Sequence, residues 1–305
     1  MRPLKKIKMN RFLKVLCLLF FVAMVTACKD DDSTKVAPPR DYGVQYITEK
    51  ADIENYLKSH YISGVDDEFN INFAALPLDG TQTSIWDQTE YPLQNKIVNS
   101  NSVDYTVYYL MLNQGTGGSP SRYDNIRAAY RGTTLPEGTQ FDYMPFPQGY
   151  SSLTGAIEGW QEIIPLFQQG TYIDNGGPDP ARFENYGAGA MFLPSGLAYY
   201  NTIPEGTSLG TYVSMIFTFK LYQFEFADND ADGILTKDET VPGTDPADYD
   251  TDGDGIANYL DTDDDNDGVP TLTEIKNPAG GNYSFDEIPV CPGGTVKRHL
   301  DVTCH

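Results

Sequence analysis

Three aspartate clusters carry the plainest chemistry in the chain. Asp228-x-Asp230-x-Asp232-Gly233 is followed by Glu239, Asp250-x-Asp252-x-Asp254-Gly255 by Asp261, and Asp263-x-Asp265-x-Asp267-Gly268 by Glu274. Each places carboxylates at loop positions one, three and five, a glycine at six and an acid at twelve. The carbonyls of Ile234, Ile256 and Val269 fall at position seven. Alternating oxygen donors around a sharp turn suit a hard cation that accepts many oxygens at once. Ca2+ does, and Mg2+, which keeps a tighter octahedron and its waters, fills such cages poorly. The expectation is structural Ca2+ with no part in catalysis. An acidic spacer that only solvates is the alternative.

A second set is aromatic. Ala156-Ile157-Glu158-Gly159-Trp160 puts one of the two tryptophans at the start of a short apolar helix. Tyr130, Phe141-Asp142, Tyr199 and Phe217 fall on strands or turns expected around it. The histidines, His60, His299 and His305, are far from these motifs, and no Ser/His/Asp or metal-hydrolase pattern is present.

These motifs stand in order: Tyr130-Arg131-Gly132, Phe141-Asp142, Ala156 to Trp160, Leu193-Pro194-Ser195-Gly196-Leu197-Ala198-Tyr199, Ile203-Pro204, and Ile216 to Leu221. Order and spacing resemble an FKBP-type peptidyl-prolyl isomerase over about residues 104–226. The resemblance implies an α+β fold, an antiparallel sheet of about five strands curled over one short helix. It implies Trp160 as the floor of a proline pocket lined by Tyr130, Phe141, Ile157 and Phe217, with Phe146 closing one side. It also implies that the Ile157 N–H and the Tyr199 hydroxyl donate to substrate carbonyls. Asp142 then lies at the rim and Ile203 in the covering loop. Such catalysis needs no nucleophile. Rotation about X-Pro is opposed by amide resonance, roughly 18–20 kcal/mol, and a pocket that desolvates and fits the twisted imide lowers it. Tyr200 departs from the family, which has glycine there, and residues 172–190 form a longer insertion. A degenerate fold that binds without catalysis, or a calcium-dependent adhesin, is the rival reading.

The acidic stretch has loop starts 22 and then 13 residues apart, with Pro242 and Pro246 between the first two. That is unlike paired EF-hand helices and resembles thrombospondin type 3 calcium repeats, which have little regular structure. Without cations so many carboxylates repel one another and leave the segment unfolded.

The N-terminus reads as an address. Arg2, Lys5, Lys6, Lys8, Arg11 and Lys14 precede an apolar run from Val15 to Val25, too short to span a bilayer. Val25-Thr26-Ala27-Cys28 resembles a bacterial lipobox, which implies cleavage before Cys28 and lipid on it. Lys29-Asp30-Asp31-Asp32 then resembles an acidic export tag of Bacteroidetes surface lipoproteins, with a plain solvated tether as the alternative. The implied location is the outer membrane or cell surface. Cys17 leaves with the signal, so Cys291 and Cys304 remain to pair in an oxidising compartment.

The elements that must position these residues follow from pattern. Residues 51–59 have helical spacing, 96–98 and 104–112 are strand-like, and 126–131 form a strand ending at Gly132. Gly115-Thr116-Gly117-Gly118 is a turn, since no lysine follows to hold a phosphate. Leu135 to Thr139 turns the chain into a strand beginning at Gln140. Residues 158–169 form about three helical turns, disturbed by Pro165 and capped by Gly170. Residues 172–189 read as an exposed insertion, Met191 to Pro194 as a short strand, and 199–206 as a loop over the top. Residues 213–226 form a long strand with Met215, Phe217, Phe219 and Leu221 on one face. Composition changes abruptly at Asp228.

The expected order of parts is a signal peptide (1–27), lipidated tether (28–42), N-terminal extension (43–101), isomerase-like domain (102–227), cation repeats (228–275) and tail (276–305). The extension reads as a support for the sheet or a dimerisation arm. The formal charge of −22 over 305 residues repels a phosphate backbone, so nucleic acid is excluded as a partner. The expected partners are proline-containing polypeptides and, through the anchor, a membrane.

Overall fold

The computed structural model describes residues 38–78, 80–174, 176–177 and 181–304. The signal, Cys28 and most of the tether lie outside the described residues. Residues Asp41–His305 form one compact unit. In chain order it contains helix α1 (Tyr42–Ser59) and strands β1 (His60–Val65), β2 (Ile71–Ala75), β3 (Gln94–Ser100), β4 (Val103–Asn113), β5 (Asn125–Thr134), β6 (Gln140–Met144) and β7 (Ser151–Ser152). Helix α2 (Glu158–Ile163) follows, then β8 (Thr171–Ile173), β9 (Arg182–Glu184), β10 (Gly187–Leu193) and β11 (Met215–Glu225). The remainder is short 3-10 turns and one further helix, α3 (Thr271–Glu274).

The main sheet has seven strands, in the order β3-β4-β10-β11-β5-β6 with β7 on β5, and every pairing is antiparallel. This is two more than expected. Beyond the five that the resemblance implies are the edge strand β3, which the strand-like residues 96–98 anticipate, and the two-residue β7 on β5. Side chains alternate between the faces. Met215, Phe217, Phe219 and Leu221 of β11 face α2, together with Tyr105, Val107 and Tyr109 of β4 and Ile126 and Ala128 of β5. Ile216, Leu110, Ala190 and Phe192 face the other way.

That other face is covered by the N-terminal extension. Ile53, Tyr56 and Leu57 of α1 bury there with Ile71 and Ile85, so the extension supports the sheet. Helix α1 begins earlier than its apolar spacing indicates, because the Asp41 carboxylate caps it by accepting from the Val44 N–H at 2.9 Å.

Four local expectations need correction. Gly132 does not end β5 but lies inside it. A Cβ there would meet Phe141 and Phe217 ring carbons at 2.8 Å, so glycine marks a close approach of aromatic rings. Helix α2 has six residues, then a 3-10 turn over Ile164–Leu166. Pro165 lacks an N–H and stops the α ladder, and Gly170 instead donates to the Tyr222 carbonyl just before β8. The exposed insertion ends sooner than composition suggests, since β10 begins at Gly187 and is buried throughout. Small residues there fit a central strand pressed on both faces, where a Cβ on Gly189 would touch Phe167 and the Leu110 carbonyl.

Candidate functional site

Helix α2 presents Trp160 to the sheet. Gly159 permits this, because a Cβ there would lie 2.5 Å from Leu193. Trp160 is 7% exposed and meets three rings of the sheet: Tyr130 at 5.1 Å and Phe217 at 5.5 Å, both edge-on, and Phe219 at 6.1 Å. The edge-to-face contacts fix ring orientation beyond simple burial. Above these rings opens a cavity of about 400 Å3, whose lining includes Tyr130, Asp142, Ile157, Trp160, Tyr199 and Phe217.

Three sequence-selected residues lie outside the lining. Phe141 sits behind it, edge-on to Phe217 at 5.6 Å and to Tyr199 at 6.4 Å. Ile203 packs against the core from the covering loop. Phe146 does not close the cavity. It is 78% exposed and borders a separate groove, with Tyr143 and Arg131. Sequence reading missed Ile126, Ala128, Met144, Tyr150 and Leu153, all of which line the cavity. Ile126 and Ala128 share the face of Tyr130 by strand alternation, a signal that was available. The loop carrying Tyr150 has no periodicity to read.

The polar groups are few. The Tyr130 hydroxyl donates to Asp142 Oδ2 at 3.0 Å, and the other Asp142 oxygen accepts from the Tyr143 N–H. Burial, and then the neighbouring Asp142 carboxylate, push Tyr130 up to about 12. Burial and the same carboxylate raise Tyr199. Ile157 precedes α2 with extended backbone and no side-chain cap. Among the described residues nothing accepts from its N–H, as expected for the first N–H groups of a helix. Tyr199 is carried by the turn after β10, where Ser195 gives its N–H and hydroxyl to the buried Glu49 carboxylate at 2.9 and 2.5 Å. Tyr200 has φ +48°, a conformation natural to glycine, and stacks on Tyr42 with ring centroids 4.0 Å apart. The stacking offsets backbone strain at the position where the sequence departs from its resemblance.

The acidic loops repeat one geometry. In each, the glycine at six has positive φ and its N–H donates to the first aspartate: Gly233 to Asp228 at 3.1 Å, Gly255 to Asp250 at 3.0 Å, Gly268 to Asp263 at 3.1 Å. One oxygen each of Asp230, Asp232, Asp252, Asp254, Asp265 and Asp267 accepts from a backbone N–H two residues on. Several second oxygens are buried without a partner: Asp228 Oδ1, Asp230 Oδ2, Asp232 Oδ2, Asp252 Oδ2, Asp263 Oδ1 and Asp265 Oδ2. In each loop the aspartates at one, three and five offer oxygens within 4.8 Å of one another. Buried anionic oxygens without donors fit a cation of calcium size.

The acids at twelve behave differently from one another. Glu239 groups with Asp232 and with Asp264, which the sequence reading did not select. Asp261 does not join the second loop's group, and one of its oxygens accepts from the Asp263 N–H at 3.0 Å. Glu274 is buried with both oxygens unpartnered, beside Asp265 and Asp267. Burial, with acidic neighbours, pushes Glu239 up to about 10 and Glu274 to about 8. Ile234 is buried in a small cluster with Ile275 and Ile288, and Ile256 is exposed. Cys291 and Cys304 are joined by a disulfide.

The acidic segment packs against the start of β5. The buried Asp124 carboxylate accepts from the Ala227 N–H at 3.2 Å and from Ser121 N–H and hydroxyl at 2.7 and 2.8 Å. Tyr123 donates to the Asp245 carboxylate and packs edge-on against Tyr259 at 4.9 Å.

Residues 225–298 match the family described as BamM C-terminal. The chain is 31% identical over 101 residues to the FKBP-type 22 kDa peptidyl-prolyl cis-trans isomerase of Escherichia coli (strain K12). That match covers 31% of this chain and 46% of the relative, so the chain spans about half the relative's length. Among solved structures it is similar to a peptidyl-prolyl cis-trans isomerase from Pseudomonas syringae pv. tomato, with TM-score 0.37 and 14% identity over 63% of this chain and 99% of that one. It is similar also to FkpA from Escherichia coli, with TM-score 0.35 and 16% identity over 72% of this chain and 74% of that one. Over those 101 residues the chain is homologous in sequence to FKBP-type peptidyl-prolyl isomerases, and its described residues form an antiparallel sheet with few helices.

Proposed function

We propose that the chain is a peptidyl-prolyl cis-trans isomerase and chaperone for exported proteins in the cell envelope. The observation that carries this reading is the aromatic cavity floored by Trp160, with Tyr130 and Phe217 against the indole and Ile157 and Tyr199, the two expected donors, among its lining residues. Proline enters over the indole. Transfer out of water removes solvation that favours the planar, charge-separated amide. The two donors hold substrate carbonyls, and Asp142 sits beside the rotating one. Nothing covalent is required, because the barrier belongs to amide resonance.

The rim favours long clients over small peptides. Met144 and Tyr150 are 41 and 40% exposed around the opening, a surface that can hold apolar side chains beside the proline. In this reading Ca2+ orders the acidic segment, through Asp228, Asp230, Asp232 and Glu239 and the corresponding acids of the other two loops. Lipid on Cys28 holds the protein at the outer membrane, a setting that the match to the BamM C-terminal family supports.

The test is exchange of a short X-Pro peptide, followed by NMR, with the protein and its Trp160→Ala variant. Isomerisation that disappears in the variant supports the proposal. No isomerisation by a folded protein overturns it and leaves the rival reading, a calcium-stabilised surface lipoprotein that binds without catalysis.

A further inference from the structure

Asp264 occupies the second position of the third aspartate loop. A loop of this type draws side-chain ligands from alternate positions, so its own cation has no use for position two. Asp264 is nevertheless 2% exposed, and neither of its oxygens has a hydrogen-bond partner. It points at the first loop. Its carboxylate lies with those of Asp232 and Glu239, with one oxygen from each within 4.8 Å of the others.

Asp232 and Glu239 are 1% and 4% exposed. Asp232 Oδ2 and both Glu239 oxygens are also without partners. Three buried carboxylates therefore converge through one oxygen each, and five of their oxygens have no hydrogen-bond donor. Packing alone does not gather such groups, because each loses its hydration and is repelled by the other two. A divalent cation removes both penalties. Oxygens bonded to one Ca2+ at about 2.3–2.6 Å lie no more than about 5 Å apart, which matches this group. The first loop's own set, Asp228, Asp230 and Asp232, is a separate group that shares only Asp232 with it.

We propose that Asp232, Glu239 and Asp264 form an additional site for a Ca2+-sized hard cation, which ties the first aspartate loop to the third. The proposal rests on the reading of the segment as cation-binding and adds a site that no single loop contains. Its ion closes the segment on itself around Ile234 and Ile275, which share one small apolar cluster.

The test counts bound Ca2+ per chain by native mass spectrometry, with affinities from calorimetry, in the full protein and in Asp264→Asn. The amide keeps the side-chain volume and leaves Asp263, Asp265 and Asp267 to the third loop. One fewer ion in the variant supports the site. An unchanged count and unchanged affinities overturn it while leaving calcium binding by the loops intact. A parent protein that binds no Ca2+ overturns both. Should Asp264→Asn fail to fold, crystals of the parent grown in Ca2+ decide. An anomalous peak bonded to both Glu239 and Asp264 supports the site, and peaks confined to the three loops overturn it.

Discussion

The Glu49 carboxylate of α1 takes both the N–H and the hydroxyl of Ser195, at 2.9 and 2.5 Å, although the two residues lie far apart in sequence. Both are buried, at 4% and 0% exposure. The pair ties the N-terminal extension to the turn that leads from β10 to Tyr199 at the cavity wall. Burial raises the Glu49 pKa above 4.5, against the lowering effect of the Ser195 and Gln45 bonds. A raised folded-state value means that the native state holds the proton more tightly than the unfolded chain does. This contribution to stability is present in full below about pH 4.5 and is lost as pH rises through the folded value. Glu49→Gln should therefore flatten the dependence of Tm on pH above 4.5. A parallel shift of the whole curve, with its shape unchanged, would count against this assignment.

Gly132 packs directly against two rings of the aromatic cluster behind the cavity. Gly132→Ala puts a methyl within 2.8 Å of both Phe141 and Phe217, and neither ring can retreat from a packed core without moving its neighbours. The expected loss is about 1–3 kcal/mol of stability, read from urea unfolding, with a changed near-UV circular dichroism spectrum from the displaced rings. Full stability with an unchanged spectrum would show that the rings yield freely.

Much of this arrangement was legible beforehand. The alternation of Met215, Phe217, Phe219 and Leu221 assigned one face of β11, and the aspartate spacing located three loops whose glycines all have positive φ. Gly132 misled, because glycine reads as a terminator while its role here depends on two rings from other strands. β10 was truncated because Gly187, Ala188, Gly189 and Ala190 have low strand propensity. Burial between two layers, which propensity does not register, selects them. Asp264 was passed over because its partners are residues of another loop, and no local spacing encodes that.

The Tyr130 hydroxyl and Asp142 form one polar unit at the cavity rim, 3.0 Å apart. If Asp142 acts on the rotating imide, Asp142→Ala should lower kcat/KM for an X-Pro peptide about tenfold, or ~1.4 kcal/mol of transition-state stabilisation. Tyr130→Phe removes only the hydrogen bond and keeps the ring against Trp160. Its effect should be smaller, about threefold, and should fall on kcat more than on KM. Equal and large effects on KM alone would assign the pair to ground-state binding.

The junction between sheet and acidic segment concentrates on Asp124. It is 1% exposed and accepts from Ser121 and from the Ala227 N–H, the last residue before the aspartate loops. The Asp124 carbonyl also accepts from Leu153, which lines the cavity, so the acidic segment and the cavity wall share one anchor. Asp124→Ala strands the Ala227 and Ser121 donors in a buried place, at a cost of about 1–3 kcal/mol for each unsatisfied group. Residues 228–275 should become sensitive to protease before the sheet does, and in the parent protein a Ca2+ chelator should produce the same order of cleavage. Binding of a proline peptide, followed by tryptophan fluorescence, should weaken in both cases, because the backbone at Asp124, whose carbonyl holds Leu153, is no longer fixed by the junction. Unchanged peptide affinity after the segment has been cleaved would mean that the two sites fold side by side without energetic coupling.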